Sequence, residues 1–245
     1  MIPALRDQLA ALIACPSVSS PDPGWDQSNA AVIHLLAGWL EVLGFRIDIL
    51  PCTGQPEKLN LIATLGQGPG GLVLAGHTDT VPYDIDRWQS DPLRLSERDG
   101  CWYGMGASDM KGFFPLVLEA VKDLRAHDLR APLIVLATAD EESSMAGART
   151  LQAAGKPQAR HAIIGEPTGL KPVRMHKGIL MESLTLTGQS GHSSNPAYGN
   201  NALDAFDRTG VDGAALSGRC RNRIGDDDER GRDSQHGWPY IVAKI

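Results

Sequence analysis

His77 and Asp79 stand two residues apart at the end of a short apolar run, Leu72-Val73-Leu74-Ala75-Gly76. Such a run reads as a buried strand, and in extended chain residues i and i+2 point to one side. In an open α/β sheet, ligands bind just beyond the carboxyl ends of the strands. An imidazole at that place can bind a metal while the carboxylate approaches the ring from behind. Alone, the same pair is more often a hydrogen-bonded loop than a metal site. Three later segments end in the same way, each with carboxylates: Gly106-Ala107-Ser108-Asp109-Met110-Lys111-Gly112, Thr138-Ala139-Asp140-Glu141-Glu142 and Gly165-Glu166-Pro167-Thr168. Singly, each has a plain alternative. Glu141-Glu142 suits a helix N-terminus, where carboxylates complement the dipole, and Gly165 to Thr168 suits an ordinary turn. Four such segments, each at a strand end, favour one shared site.

If the strand ends converge, His77, Asp79, Asp109, Glu141, Glu142 and Glu166 form a cluster of five carboxylates and one imidazole. Like charges raise each other's pKa values, so such a group requires cations to stay ionised together. Mixed nitrogen and oxygen donors suit an ion of the zinc type. Two ions about 3.5–4 Å apart would share a bridging carboxylate, as in two-metal hydrolases. Glu141 and Glu142 are adjacent, so in extended chain they point to opposite sides. One is then free to be a ligand while the other faces the substrate as a general base, taking a proton from water and passing it to a leaving amine.

The elements that must position these groups follow from periodicity. Leu5, Leu9, Leu12 and Ile13 have helical spacing over Pro3 to Ile13, and Asn29 to Leu43 repeats it with Val32, Ile33, Leu36, Leu40 and Leu43. His34 on that helix is read as a surface or core-edge residue, not a ligand. Phe45 to Leu50 and Asn60 to Leu65 read as strands. The glycine-rich turn from Gly66 to Gly71 has no Walker lysine and precedes a strand, so it is not a phosphate loop. Pro82 to Leu95 is expected to be an irregular covering loop. Phe113 to Leu124 reads as a helix, Leu133 to Ala139 as a strand covered on both faces, Met145 to Ala154 as a helix and Ala162 to Ile164 as a short strand. This alternation predicts an α/β sheet with helices on both sides. Beyond Arg174 the texture changes, with a strand expected over Gly178 to Thr187 and a helix beginning at Asn200. From Phe206 periodicity fails, and 14 of the 40 residues over 206–245 are charged, against 21% for the chain. Runs of that kind are solvated or disordered, and a frameshift or premature end would account for this one.

Bulk properties narrow the class. The 245 residues, 42% hydrophobic, suffice for one large domain or two modest ones, and the net charge of −6 gives no basic footprint for nucleic acid. No apolar run approaches the ~18 residues of a membrane span, and the N-terminus has no basic start followed by an apolar stretch. Cys15, Cys52, Cys101 and Cys220 include no Cys-x-x-Cys pair and are expected to be reduced, buried or half-buried side chains.

Taken in order, His77-Thr78-Asp79-Thr80-Val81-Pro82, Ser108-Asp109-Met110-Lys111-Gly112, Asp140-Glu141-Glu142, Gly165-Glu166-Pro167-Thr168 and Gly191-His192-Ser193-Ser194 resemble the M20 metallopeptidases, over about residues 4 to 205. The resemblance implies a zinc-peptidase-like sheet with helices on both faces, plus the start of a smaller α+β dimerisation (lid) domain. It divides the chain into a catalytic metal-binding domain at 1–177, the start of the lid at 178–205 and an aberrant tail at 206–245. It implies two Zn2+ per subunit, with Co2+ able to substitute. His77 and Glu166 would hold the first ion, Asp109 would bridge, and Glu142 would hold the second. Glu141 would be the general base, and Asp79 would orient His77. His192 would reach a partner's active site in a homodimer and stabilise the developing oxyanion. Family members carry a further histidine near the C-terminus on the second ion. His236 is the only histidine after His192 here, and it is not assigned that role. The forms Glu166-Pro167-Thr168 and Met175-His176-Lys177-Gly178 are most like members that remove the acetyl group from N2-acetyl-L-ornithine, in cytoplasmic arginine synthesis. Removal of a succinyl group from succinyl-diaminopimelate, or the aminoacylase and carboxypeptidase activities of the family, are the alternatives for a small N-acyl amino acid substrate. A truncated, inactive remnant binding at most one zinc is the reading from another class.

Overall fold

The computed structural model describes residues 2–175, 184–189, 194, 198–200 and 241–244. They fall into two compact units, Met1–Pro172 and Val173–Ile245. In the first, helices α1 (Leu5–Ile13) and α2 (Ala30–Val42) precede strands β1 (Arg46–Cys52), β2 (Gln55–Leu65) and β3 (Leu72–His77). A hairpin of β4 (Ser96–Arg98) and β5 (Cys101–Tyr103) follows, then α3 (Phe113–Val121), β6 (Leu133–Thr138), α4 (Ala146–Ala153) and β7 (His161–Ile164).

Five strands form one sheet in the order β1-β2-β6-β3-β7. The β1–β2 and β2–β6 pairs are antiparallel, whereas β6, β3 and β7 run parallel, with His77 opposite Thr138 and Ala75 opposite Ile164. Alternation along the strands sends side chains to opposite faces. Leu61, Ala63, Leu65, Leu133, Val135 and Ala137 enter the main core beneath α1, α2 and α3, together with Leu12, Val32, Ile33, Leu36, Leu40, Phe114 and Leu118. Ile62, Val73 and Ile134 face the other way and pack on Leu151 of α4. Both faces of the central strands are thus covered, which is why β6 reads as a continuous apolar run.

Within the first unit the expected helices and sheet strands are present, with ends displaced by a few residues. The hairpin falls in a stretch with no expected strand. Its turn is Asp99-Gly100, both with positive φ (54° and 73°), which is the pattern that reverses a two-residue hairpin. His34 is exposed. Cys15 is half-buried and Cys52 buried, but Cys101 is exposed, because it opens a short hairpin strand that lies outside the core.

In the second unit β8 (Leu184–Thr187) pairs in parallel with β9 (Ile241–Lys244), and Gln189 bridges Asn200. The expected strand over Gly178 to Thr187 lies only partly within the described residues. The helix beginning at Asn200, His192, His236, Cys220 and the tail over 206–240 lie outside them. Among the described residues no helix is long and apolar enough to cross a membrane.

Candidate metal centre

Three parallel strands deliver their last residues to one end of the sheet. His77 closes β3, Asp140-Glu141-Glu142 follows β6, and Gly165-Glu166 follows β7. The ends are stitched together. Ser17 Oγ donates to the Thr78 carbonyl (2.7 Å), Thr78 Oγ1 to the Thr138 carbonyl (2.8 Å), and Asn29 Nδ2 to both the Leu59 carbonyl and Thr78 Oγ1 (2.8 Å each). Close approach is secured where a side chain would intervene. A Cβ on Gly165 would lie 2.2–2.5 Å from the Phe113 ring, and one on Gly76 would lie 2.7 Å from Met110 Cε. The segment carrying Asp109 is fixed from below by Lys111, whose buried Nζ donates to the carbonyls of Leu12 (3.2 Å) and Cys15 (2.7 Å) at the end of α1. Burial lowers the Lys111 pKa to about 8.

His77 is 2% exposed and presents its two nitrogens to different surroundings. Nδ1 is 3.0 Å from the Asp79 carbonyl oxygen and 3.7 Å from Asp79 Oδ1. Nε2 is 3.1 Å from Asp109 Oδ1 and 3.8 Å from Glu166 Oε1. A proton on Nδ1, donated to the Asp79 carbonyl, leaves the Nε2 lone pair facing the carboxylates, the usual way a ligand imidazole is oriented. Two triads share this ring: His77, Glu141 and Glu166, and His77, Asp109 and Glu142, with ligand atoms in each within 4.8 Å of one another. Glu141 and Glu142 thus fall in separate triads. The Asp79 carboxylate accepts the Glu142 backbone N–H at Oδ2 (3.0 Å), so the residue behind the imidazole also holds the turn that follows β6.

The electrostatics call for a cation. Burial raises the Glu142 pKa, to about 7; the His77 ring opposes this, while Asp109, Glu141 and Asp79 add to it. Glu166 is raised by burial in the same way, with Asp109, Glu141 and Asp79 adding to it. Asp79 is raised by burial despite the Glu142 N–H. Burial alone would lower His77, but Asp79, Glu141, Glu142 and Glu166 outweigh it and raise the ring. Asp79 Oδ1 is buried and accepts no hydrogen bond among the described residues. A mixed nitrogen and oxygen donor set with excess negative charge fits one or two divalent ions. The concave surface lined by Arg46, Asp48, Thr64, Gly66, Pro132 and Lys156 lies at the opposite end of the sheet, where β6 begins, and carries no such cluster.

The sheet brings His77, Asp79, Asp109, Glu141, Glu142 and Glu166 together. A second layer of residues was not legible as functional. Lys58, in β2, lies behind the Glu141–Glu142 turn with its ammonium between Asp26 and Asp140. Its signal was a lysine in a strand whose following residues, Leu59 to Leu65, are nearly all buried.

A family model described as Peptidase family M20/M25/M40 matches residues 73–216. The chain is 55% identical to the acetylornithine deacetylase of Pasteurella multocida (strain Pm70) over 203 residues, 83% of this chain and 53% of that protein. It is 50% identical to the acetylornithine deacetylase of Proteus mirabilis (strain HI4320) over 222 residues, 91% and 57% of the two chains. It thus spans about half the length of the curated relatives it matches. Among solved structures, human carnosine dipeptidase 1 superposes with a TM-score of 0.55 at 26% identity, over 65% of this chain and 38% of that one. The Sulfolobus solfataricus M20 family metallo-carboxypeptidase Sso-CP2 gives 0.56 at 21% identity, over 67% and 37%, a likeness of fold.

Proposed function

Since the chain belongs to peptidase family M20/M25/M40, we propose that it carries the metal centre of an amide hydrolase that removes the acetyl group from N2-acetyl-L-ornithine, giving L-ornithine and acetate. The observation that carries this reading is the pair of triads sharing the His77 ring, and 50–55% identity to acetylornithine deacetylases supports the substrate. The metal would be Zn2+, two per subunit, with Co2+ as a substitute. His77 and Glu166 would hold one ion, Glu142 the other, and Asp109 would bridge them. Bound divalent cations would polarise the amide carbonyl and lower the pKa of the attacking water.

The chain's own residues do the remaining work. Asp79 accepts the Nδ1 proton of His77 through its backbone carbonyl and keeps Nε2 turned to the carboxylates. Glu141 takes the proton of the attacking water and returns it to the leaving amine. His192, outside the described residues, would stabilise the developing oxyanion from a partner subunit of a homodimer. Residues 1–177 would be the metal-binding domain, 178–205 the start of the lid and 206–245 an aberrant tail, of which Ile241–Lys244 pairs with β8. The reaction would belong to arginine synthesis in the cytoplasm.

The test is Glu141→Ala assayed beside Glu142→Ala. Glu141→Ala should retain Zn2+ and lose ~10²–10⁴-fold in turnover, whereas Glu142→Ala should lose Zn2+ affinity itself. Unchanged turnover in Glu141→Ala would refute the assigned base. Rates on acetylornithine against succinyl-diaminopimelate decide the acyl group.

A further inference from the structure

Lys58 is one of the largest fully buried side chains among the described residues, and it is a cation in a sheet whose other interior residues are mostly apolar. Its Nζ donates to Asp26 Oδ1 at 2.7 Å and to Asp140 Oδ1 at 2.8 Å. Burial disfavours the ammonium, yet the two carboxylates outweigh it and raise the Lys58 pKa above its ordinary value. The three charges come from three places: the loop before α2, the strand β2 and the turn after β6.

Asp140 is the hub of that turn. Its backbone has φ +56°, a left-handed conformation rare for a side chain larger than glycine's. Its carbonyl accepts from the Met145 N–H at 2.6 Å, and its Oδ2 accepts from Ser144 Oγ at 3.3 Å. Its Oδ1, besides Lys58, accepts from Ser19 Oγ at 3.0 Å, and the same hydroxyl touches Ser143 Oγ. The chain from 140 to 145 is therefore wound around one buried carboxylate. Glu141 and Glu142 are the two residues on that winding that point out to His77. A flexible turn would let two mutually repelling carboxylates swing apart into solvent. One locked at Asp140 holds them in their triads before any cation arrives.

We propose that Lys58 is a positioning residue for the cation site: by locking Asp140, with Ser19, it presets the Glu141–Glu142 turn for divalent-cation binding. The inference rests on the reading above that Glu142 is a ligand. Asp26, on the far side of the ammonium, anchors Lys58 and accepts the Ser20 N–H at Oδ1 (3.0 Å), beside Ser19.

The test is titration of the full chain with Zn2+ alone, by competition against a chromophoric chelator, together with the visible absorption spectrum of Co2+. Lys58→Met and Ser19→Ala should each lower Zn2+ affinity ~10–100-fold, the range for partners of ligands. They should also alter the Co2+ bands while the circular dichroism is kept. Leu40→Ala, in the core on α2 and away from this network, should lower thermal stability yet leave the affinity within about twofold. Should Lys58→Met fail to fold, Ser19→Ala and Asp140→Asn decide. If the folded variants bind Zn2+ as the parent does while Glu142→Ala does not, the positioning role is overturned and the ligand assignment stands. If Leu40→Ala loses as much affinity as the others, the effect is merely one of stability and the inference falls. If Glu142→Ala also binds normally, the ligand assignment itself fails.

Discussion

At the scale of single residues, the centre is a set of acids held out of their comfortable charge state. Glu142, Glu166 and Asp79 all have folded pKa values raised above their ordinary ones, first by burial, and His77 is raised by its four acidic neighbours despite burial. Each group thus keeps its proton to a higher pH folded than unfolded. The native state binds more protons, so stability must fall as pH rises through the window. For Glu142 that window runs from 4.5 to about 7. For His77 the stabilisation is present below 6.5 and is lost as pH rises through its raised folded value. With a chelator present, the melting temperature should be higher at pH 5 than at pH 7.5, and excess Zn2+ should restore more stability at pH 7.5. Equal melting temperatures in chelator would count against the cluster's burial. The identities of these residues were legible because chemistry demands particular types at strand ends. Their division into two triads was not, since it depends on side-chain directions in a turn wound around Asp140.

At the scale of elements, the site is made by where β3, β6 and β7 stop and by how closely α3 can approach them. Gly165 is the sharpest case, its missing Cβ occupied by the Phe113 ring. Gly165→Ala must push α3 from the strand end or Glu166 from the cluster. We expect a loss of ~1–3 kcal/mol in stability with weaker Zn2+ binding, read by urea denaturation and by the chelator titration. An unperturbed variant would mean that the contact relaxes without moving Glu166. The strands and helices of this unit were readable from periodicity, because both faces of the central strands are buried and the apolar runs are long. The β4–β5 hairpin was not expected, although Asp99-Gly100 announced its turn. Three-residue strands outside the core carry no hydrophobic pattern; Cys101, Trp102 and Tyr103 are all exposed.

At the scale of the whole molecule, the sheet core carries stability for the centre at its edge. Leu61 is fully buried on β2, between β1 and β6, against the helices of the main core. Leu61→Ala should cost ~2–5 kcal/mol, measured by urea denaturation, and a cost under about 1 kcal/mol would mean that the core collapses freely around the gap. Sequence by itself determined the α/β class, the sheet strands of the first unit and which six residues its strand ends would bring together, since burial on two faces and metal chemistry each impose local patterns on the chain. Only the tertiary structure decided which strands neighbour one another, which nitrogen of His77 faces the carboxylates, and that Lys58 lies buried behind the Glu141–Glu142 turn. Those facts depend on residues 82 positions apart in the chain, Lys58 and Asp140, meeting in a water-poor interior. No local spacing encodes such a meeting, because its energy exists only once the strands between them have paired.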